Sequence, residues 1–162
     1  MSAYSFIGSD YDLPEVHNTK EKMITVKEAI ELGIKAHEFM PWEKMNQEDK
    51  VMVFESEEDL GELMITKGYD GDEDARQHTQ KPFIYMVEFR YTDARGKQLL
   101  EYLKENLREG YSLELWSIWL GDKEKITPLR CSYKELSLDH IKQMYEWGHG
   151  KGFQPSGMII EK

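Results

Sequence analysis

The chain has 162 residues, of which 40% are hydrophobic and 12% aromatic, and its formal net charge is −10 at pH 7. This length and composition predict one globular domain, 1–162, and exclude a disordered or low-complexity chain. The single cysteine, Cys131, excludes a disulfide framework and a multi-cysteine metal site. No stretch reaches the roughly 20 apolar residues of a membrane span, and the N-terminus lacks a signal-peptide pattern, so we expect a cytoplasmic protein with no membrane contact. We also expect that the protein holds no metal and no cofactor.

The negative charge is concentrated in the first half of the chain. Residues 1–82 hold nineteen acidic and nine basic side chains, whereas residues 83–162 hold twelve of each. The densest cluster, here called the acidic face, consists of Glu57, Glu58, Asp59 and Glu62. A surface of this sign repels nucleic acid and attracts basic proteins. Acidic loops also keep a protein soluble, and that interpretation stays open beside partner binding.

Short, irregular elements are predicted in the first half. Thr25 and Glu28 have the spacing of a capping box, which predicts a helix over 26–32 that ends at Gly33. The other elements predicted here are an extended arm at 9–16, strands at 51–54 and 63–66, and a polar loop at 68–81.

The second half alternates regularly between strands and helices. Strands are predicted at 84–91, 111–120, 126–133 and 157–161, and helices at 93–108 and 138–147. This β-α-β-β-α-β order predicts an α+β fold of the ferredoxin-like split βαβ type over residues 83–162, with both helices on one face of the sheet. That fold hosts many unrelated functions, so it does not by itself indicate an activity.

The strand predicted at 111–120 is apolar on both sides. Leu113 and Leu115 point to one face of the sheet, and Trp116 and Ile118 point to the other. A sheet of this kind is covered on both faces, and the two helices cover only one. We therefore expect residues 1–82 to form an irregular α/β extension over the other face. The side chains available for this are Phe39, Met40, Trp42 and Phe54.

The loop at 148–157 is the first candidate for a ligand contact. Its glycines alternate with His149 and Lys151, so that the backbone can approach an anion closely while Lys151 supplies charge. The spacing matches neither a Walker loop nor a dinucleotide fingerprint, and a flexible link to the last strand is the alternative interpretation.

An aromatic pocket between the sheet and the N-terminal arm is the second candidate. Its aromatic members would be Trp42, Tyr85, Tyr91, Trp116 and Trp119, and its polar group would be Glu88, Arg90 or His17. Aromatic side chains in a sheet are more often part of the core, which is the competing interpretation.

The arm at 9–16 and the run Leu-Trp-Ser-Ile-Trp-Leu at 115–120 resemble small uncharacterised cytoplasmic proteins of Gram-positive bacteria. The resemblance implies a bacterial cytoplasmic setting and assigns no role to any residue.

Two functions follow from the residues themselves. One is a non-enzymatic acidic binding or regulatory protein, such as an inhibitor or immunity-type partner of a basic protein, acting as a monomer or homodimer. The alternative is a small-molecule-binding protein or enzyme that uses the aromatic pocket.

Overall fold

The computed structural model describes residues 2–69, 71–148 and 150–162, and within these ranges the chain has a mixed α+β structure, as predicted. The strands are β1 (Ala3–Ser9), β2 (Lys22–Thr25), β3 (Lys50–Val53), β4 (Met64–Lys67), β5 (Phe83–Glu88), β6 (Ser112–Trp119), β7 (Leu129–Ser132) and β8 (Ser156–Glu161). The α-helices are α1 (Val26–Glu31), α2 (Glu73–Arg76), α3 (Asp93–Asn106) and α4 (Leu138–Tyr145). None of the helices in these ranges has the length and apolar character required to cross a bilayer.

The chain divides into two compact units. The larger unit contains Met1–His17 and Gly61–Lys162, and the smaller unit contains Asn18–Leu60. Packing therefore does not follow the expected division at residue 82, because the first and last parts of that acidic half belong with the sheet. The expectation of a single domain stays a prediction.

The smaller unit contains a two-stranded ribbon and one short helix. Strands β2 and β3 pair antiparallel, with Met23 opposite Met52. The side chain of Thr25 accepts a hydrogen bond from the Glu28 backbone N–H at 3.1 Å and so caps α1. Gly33 follows the helix with a φ of 71°, a left-handed conformation that glycine adopts without strain. The predicted start at Val26 is confirmed, and the helix ends at Glu31, one residue before the predicted end at Leu32.

The larger unit is built on a six-stranded mixed sheet of order β4-β5-β1-β6-β8-β7. Strand β1 pairs antiparallel with both β5 and β6, so these two strands run parallel to each other. Strands β7 and β8 are adjacent and parallel. The predicted order of strands and helices over 83–162 is present, but the ferredoxin-like pairing is wrong. Strand β1 comes from a segment that was not predicted as a strand, and it occupies the position between β5 and β6.

Helices α3 and α4 lie on the same face of the sheet, as predicted. Their buried side chains, which include Leu103 and Ile141, form one core cluster with strand residues such as Leu115 and Met158. Cys131 belongs to this cluster and is buried as a free thiol.

The opposite face carries a second, smaller core cluster around Trp116, with Phe6, Ile84 and Ile118. Its cover includes Ala75 of α2, which lies in the stretch predicted to be a polar loop. The expected cover by Phe39 and Met40 is wrong, because both side chains are exposed. The Trp116 ring packs against Gly157 of β8 so closely that a Cβ atom would collide with it.

Candidate functional site

A cleft of about 970 Å³ lies at the carboxyl ends of the parallel strands β5 and β6, between the start of α3 and the end of α4. We call it the end cleft. The positive end of the α3 dipole and the negative end of the α4 dipole both lie at this cleft. Its lining includes Ser5 and Ser117 of the sheet, and Tyr91, Asp93, Lys142, Tyr145, Glu146 and Trp147 in or next to the two helix ends. Glu88, Arg90 and Lys151 also line it.

At the cleft, two hydroxyl groups connect α4 to the sheet by hydrogen bonds. Ser5 Oγ donates to the Trp116 carbonyl at 3.0 Å, so Tyr145 donates to Ser5 Oγ across 2.5 Å. Burial raises the pKa of Tyr145 above its ordinary value, because the phenolate would be poorly solvated there. The Phe89 ring packs on Tyr145 with a centroid distance of 4.7 Å. This side of the cleft is therefore neutral, partly aromatic and rich in hydroxyl groups.

One wall of the cleft is a network of paired charges. Lys142 of α4 lies 3.9 Å from Asp93 of α3 and 3.6 Å from Glu146. The Tyr91 hydroxyl donates to Asp93 at 2.9 Å. Burial and this contact with Asp93 raise the pKa of Tyr91 to about 12. The carboxylates of this wall therefore already have partners within the protein.

Two other cationic side chains, Arg90 and Lys151, also line the cleft. Neither Arg90 nor Lys151 forms an ion pair with an acidic side chain of the described ranges. The backbone of Arg90 is held in place, since its N–H donates to the Gly61 carbonyl at 3.0 Å and its carbonyl accepts from Arg95 Nη1 at 3.2 Å. Both side chains are exposed, and cationic side chains that have no carboxylate partner favour an anion.

The turn that presents Lys151 is closed by its own backbone. The Gly148 N–H donates to the Lys151 carbonyl at 2.7 Å, and the Lys151 N–H donates to the Gly148 carbonyl at 3.0 Å. Gly148 and Gly150 have φ angles of 102° and 89°, which side-chain-bearing residues rarely adopt. The glycines predicted to allow close approach thus form a tight turn. His149, which was predicted with them, lies outside the described residues.

The structure brings together three of the six residues predicted to contact a ligand, Glu88, Arg90 and Lys151. The exposed Glu88 side chain lies at the rim, because strand alternation directs it away from the face that carries α3 and α4. Trp42 belongs to the smaller unit, where its Nε1 donates to the Ile34 carbonyl at 2.8 Å.

The hydroxyl of Tyr85 holds the N-terminal arm instead of facing a ligand. It accepts from the Leu13 N–H at 2.9 Å and donates to Asp12 at 3.2 Å. The hydroxyl of Tyr102 on α3 donates to the Pro14 carbonyl at 2.7 Å. The aromatic pocket expected between the sheet and the arm is therefore replaced by direct packing of the arm, and of its predicted aromatic members only Tyr91 lines the end cleft.

Asp59 and Glu62 of the acidic face have ion-pair partners within the protein. Asp59 forms an ion pair with Lys20 at 3.4 Å, and Glu62 forms one with the buried Arg95 at 3.2 Å. Glu57 and Glu58 are exposed. Asp59 and Glu62 are partly buried, so the solvent exposure of the acidic face is uneven.

Sequence reasoning missed several residues of the cleft, notably Ser5, Asp93, Lys142 and Tyr145. The Tyr145 ring belongs to the core cluster of its helix, and no sequence pattern shows that its hydroxyl contacts Ser5. Asp93 and Lys142 meet only because two helices that are distant in sequence pack side by side. A signal was present for Asp93 alone, as an acid in the first turn of a helix.

The described ranges contain no group of three or more His, Cys, Asp or Glu side chains that could hold a metal ion. Burial raises the pKa of Cys131, which disfavours the reactive thiolate. No protein-family model, no curated protein and no solved structure matches this chain. The geometry and charges of the end cleft therefore provide the basis for a functional proposal.

Proposed function

We propose that this protein binds a small anionic molecule in the end cleft. The observation that carries the proposal is the presence there of Arg90 and Lys151, neither of which forms an ion pair with a carboxylate of the described residues. With them, the three acidic and three basic side chains of the lining balance, whereas the whole chain has a net charge of −10. In a protein with a net charge of −10, cations left unpaired in a concave site favour an incoming carboxylate or phosphate group.

The remaining lining supports a ligand with an aromatic or other apolar part. Tyr91 and Trp147 offer ring surfaces at the cleft, and the hydroxyl groups of Ser5 and Ser117 lie at the sheet. The volume falls within the range of about 300 to 1,000 Å³ that is usual for small-molecule sites.

Isothermal titration with four probes tests this proposal: inorganic phosphate, phenyl phosphate, acetate and benzoate. The aromatic anions should bind more tightly than the inorganic or aliphatic anion of the same class. The variants Arg90→Gln and Lys151→Gln should each weaken binding by about tenfold, which corresponds to ~1.4 kcal/mol. Lys123→Gln, which removes an exposed lysine elsewhere on the larger unit, is the matched control and should leave the affinity unchanged.

The comparison between phosphates and carboxylates identifies which anion the site accepts. The proposal is wrong if none of the four probes binds. It is also wrong if Lys123→Gln weakens binding as much as the two cleft variants, because the anion would then respond only to overall charge.

A further inference from the structure

Exposed apolar side chains are concentrated in the smaller unit. Among the described residues, seven of the twelve most exposed large apolar side chains lie within Asn18–Leu60. These are Met23, Ile30, Leu32, Phe39, Met40, Met52 and Leu60. The unit supplies about a quarter of the chain, so their density is several times that of the larger unit. Exposed apolar side chains mark an interaction surface where they are adjacent to one another.

Two features show how these side chains are presented. Phe39, which is 85% exposed, and Met40 lie at a tight turn in which the Met40 N–H donates to the His37 carbonyl at 2.9 Å. On the β2–β3 ribbon, Met23 and Met52 are directly opposite each other and both are exposed. Methionine side chains adapt their shape to a partner, and an exposed phenylalanine at a turn serves as an anchor.

The charge of the same unit restricts what can bind to it. Residues 18–60 contain eleven acidic and six basic side chains, a net charge of −5. Acids stand beside the apolar residues in sequence, as Glu38 does beside Phe39 and Glu31 beside Leu32. An anionic lipid surface would be repelled, and a second copy of this chain would bring two like charges together. A basic protein surface is the occupant that satisfies both the charge and the apolar side chains.

We propose that the unit Asn18–Leu60 docks a basic, amphipathic segment of another protein, with Phe39 and Met40 as the apolar anchors and Glu57 and Glu58 among the attracting charges. This inference is independent of the end cleft, because it uses neither Arg90 nor Lys151. It also narrows the binding role expected from the acidic face. The attraction is assigned to the exposed Glu57 and Glu58 and not to Asp59 or Glu62, which are partly buried.

Fluorescence anisotropy with a labelled amphipathic peptide of lysine and leucine tests the inference on the full chain. The double variant Phe39→Ser, Met40→Ser keeps the charge and should weaken binding by at least about tenfold. Glu57→Gln with Glu58→Gln should slow association, and the effect should shrink as salt rises from about 10 to about 100 mM, where the screening length falls from about 30 to about 10 Å. These positions are exposed, so circular dichroism should show an unchanged fold.

Matched controls come from the larger unit. Leu129→Ser removes a side chain that is 55% exposed, close to the 57% of Met40, and Glu101→Gln with Glu105→Gln removes two exposed charges of a helix. Both controls should bind the peptide as the unchanged protein does. The inference is overturned if the controls lose as much affinity as the test variants or if a peptide with glutamate in place of lysine binds equally well. Binding to anionic vesicles, or a homodimer that Phe39→Ser dissociates, would also overturn it.

Discussion

The carboxylate of Glu62 accepts a hydrogen bond from Arg95 Nη2 at 3.2 Å, and the Arg95 side chain is only 7% exposed. Arg95 also donates to the Arg90 carbonyl, so the pair supports the backbone that carries one cation of the end cleft. At the scale of single residues, the sequence groups Glu62 with a cluster of surface acids, but in the structure its carboxylate is part of the packing of the larger unit. A buried guanidinium that loses its carboxylate is poorly compensated.

We expect Glu62→Gln to lower the free energy of unfolding by about 1–3 kcal/mol, because it leaves the buried Arg95 charge without its anion. Urea unfolding at neutral pH measures the change. The control is Glu57→Gln, at an exposed position, which should stay within about 0.5 kcal/mol of the unchanged protein. Equal effects of the two substitutions would show that Arg95 does not depend on Glu62.

At the scale of elements, β1 is the strand that organises the sheet. It pairs with β5 on one side and with β6 on the other, and Phe6 and Ile7 of this strand are fully buried on opposite faces. The β2–β3 ribbon has no third strand, and its methionines are exposed. Two-stranded ribbons are marginally stable on their own, whereas a central strand opens only when its sheet unfolds.

Amide hydrogen exchange should therefore separate the two regions. We expect the amides of β1 to exchange only through global unfolding, and those of β2 and β3 to exchange through local opening at a lower free energy. Addition of denaturant provides the check, since the exchange of β1 should accelerate with the full denaturant dependence of unfolding, while that of β2 should respond weakly. Equal protection of both regions would contradict the central role assigned to β1.

At the scale of the whole molecule, tyrosines connect many of the elements of the larger unit. Tyr102 links α3 to the arm, and Tyr145 links α4 to β1. Burial raises the pKa of both above the ordinary value of 10.0, and with Asp93 it raises that of Tyr91 to about 12. Above pH 10 the unfolded chain loses protons that the folded protein keeps, so these groups stabilise the fold fully below pH 10 and progressively less above it.

We expect the free energy of unfolding to fall as pH rises from 10 to about 12, by up to about 1.4 kcal/mol per pH unit for each such tyrosine. Denaturant unfolding across this range measures the slope. Tyr145→Phe should reduce the slope, while below about pH 9 its stability should differ from that of the unchanged protein by a constant amount. A stability that does not change between pH 10 and 12 would contradict the raised pKa values.

Local chemistry made some elements predictable from sequence alone. The caps at Thr25 and Gly33 and the apolar stripe of α3 depend on residues three and four positions apart, so the sequence predicts them without knowledge of the fold. The two apolar sides of β6 likewise predicted a sheet covered on both faces, and Trp116 is buried as that prediction requires.

Tertiary structure alone decided which elements meet. Residues 3–9 are buried on both faces and show no simple alternation, so their pattern did not identify the strand that separates β5 from β6. Arg90 and Lys151 are 61 positions apart and reach one cleft only through the order of strands and the packing of α3 on α4. Spacing along the chain determines local structure because neighbours are always close, whereas a binding site depends on long-range pairings that no local pattern encodes.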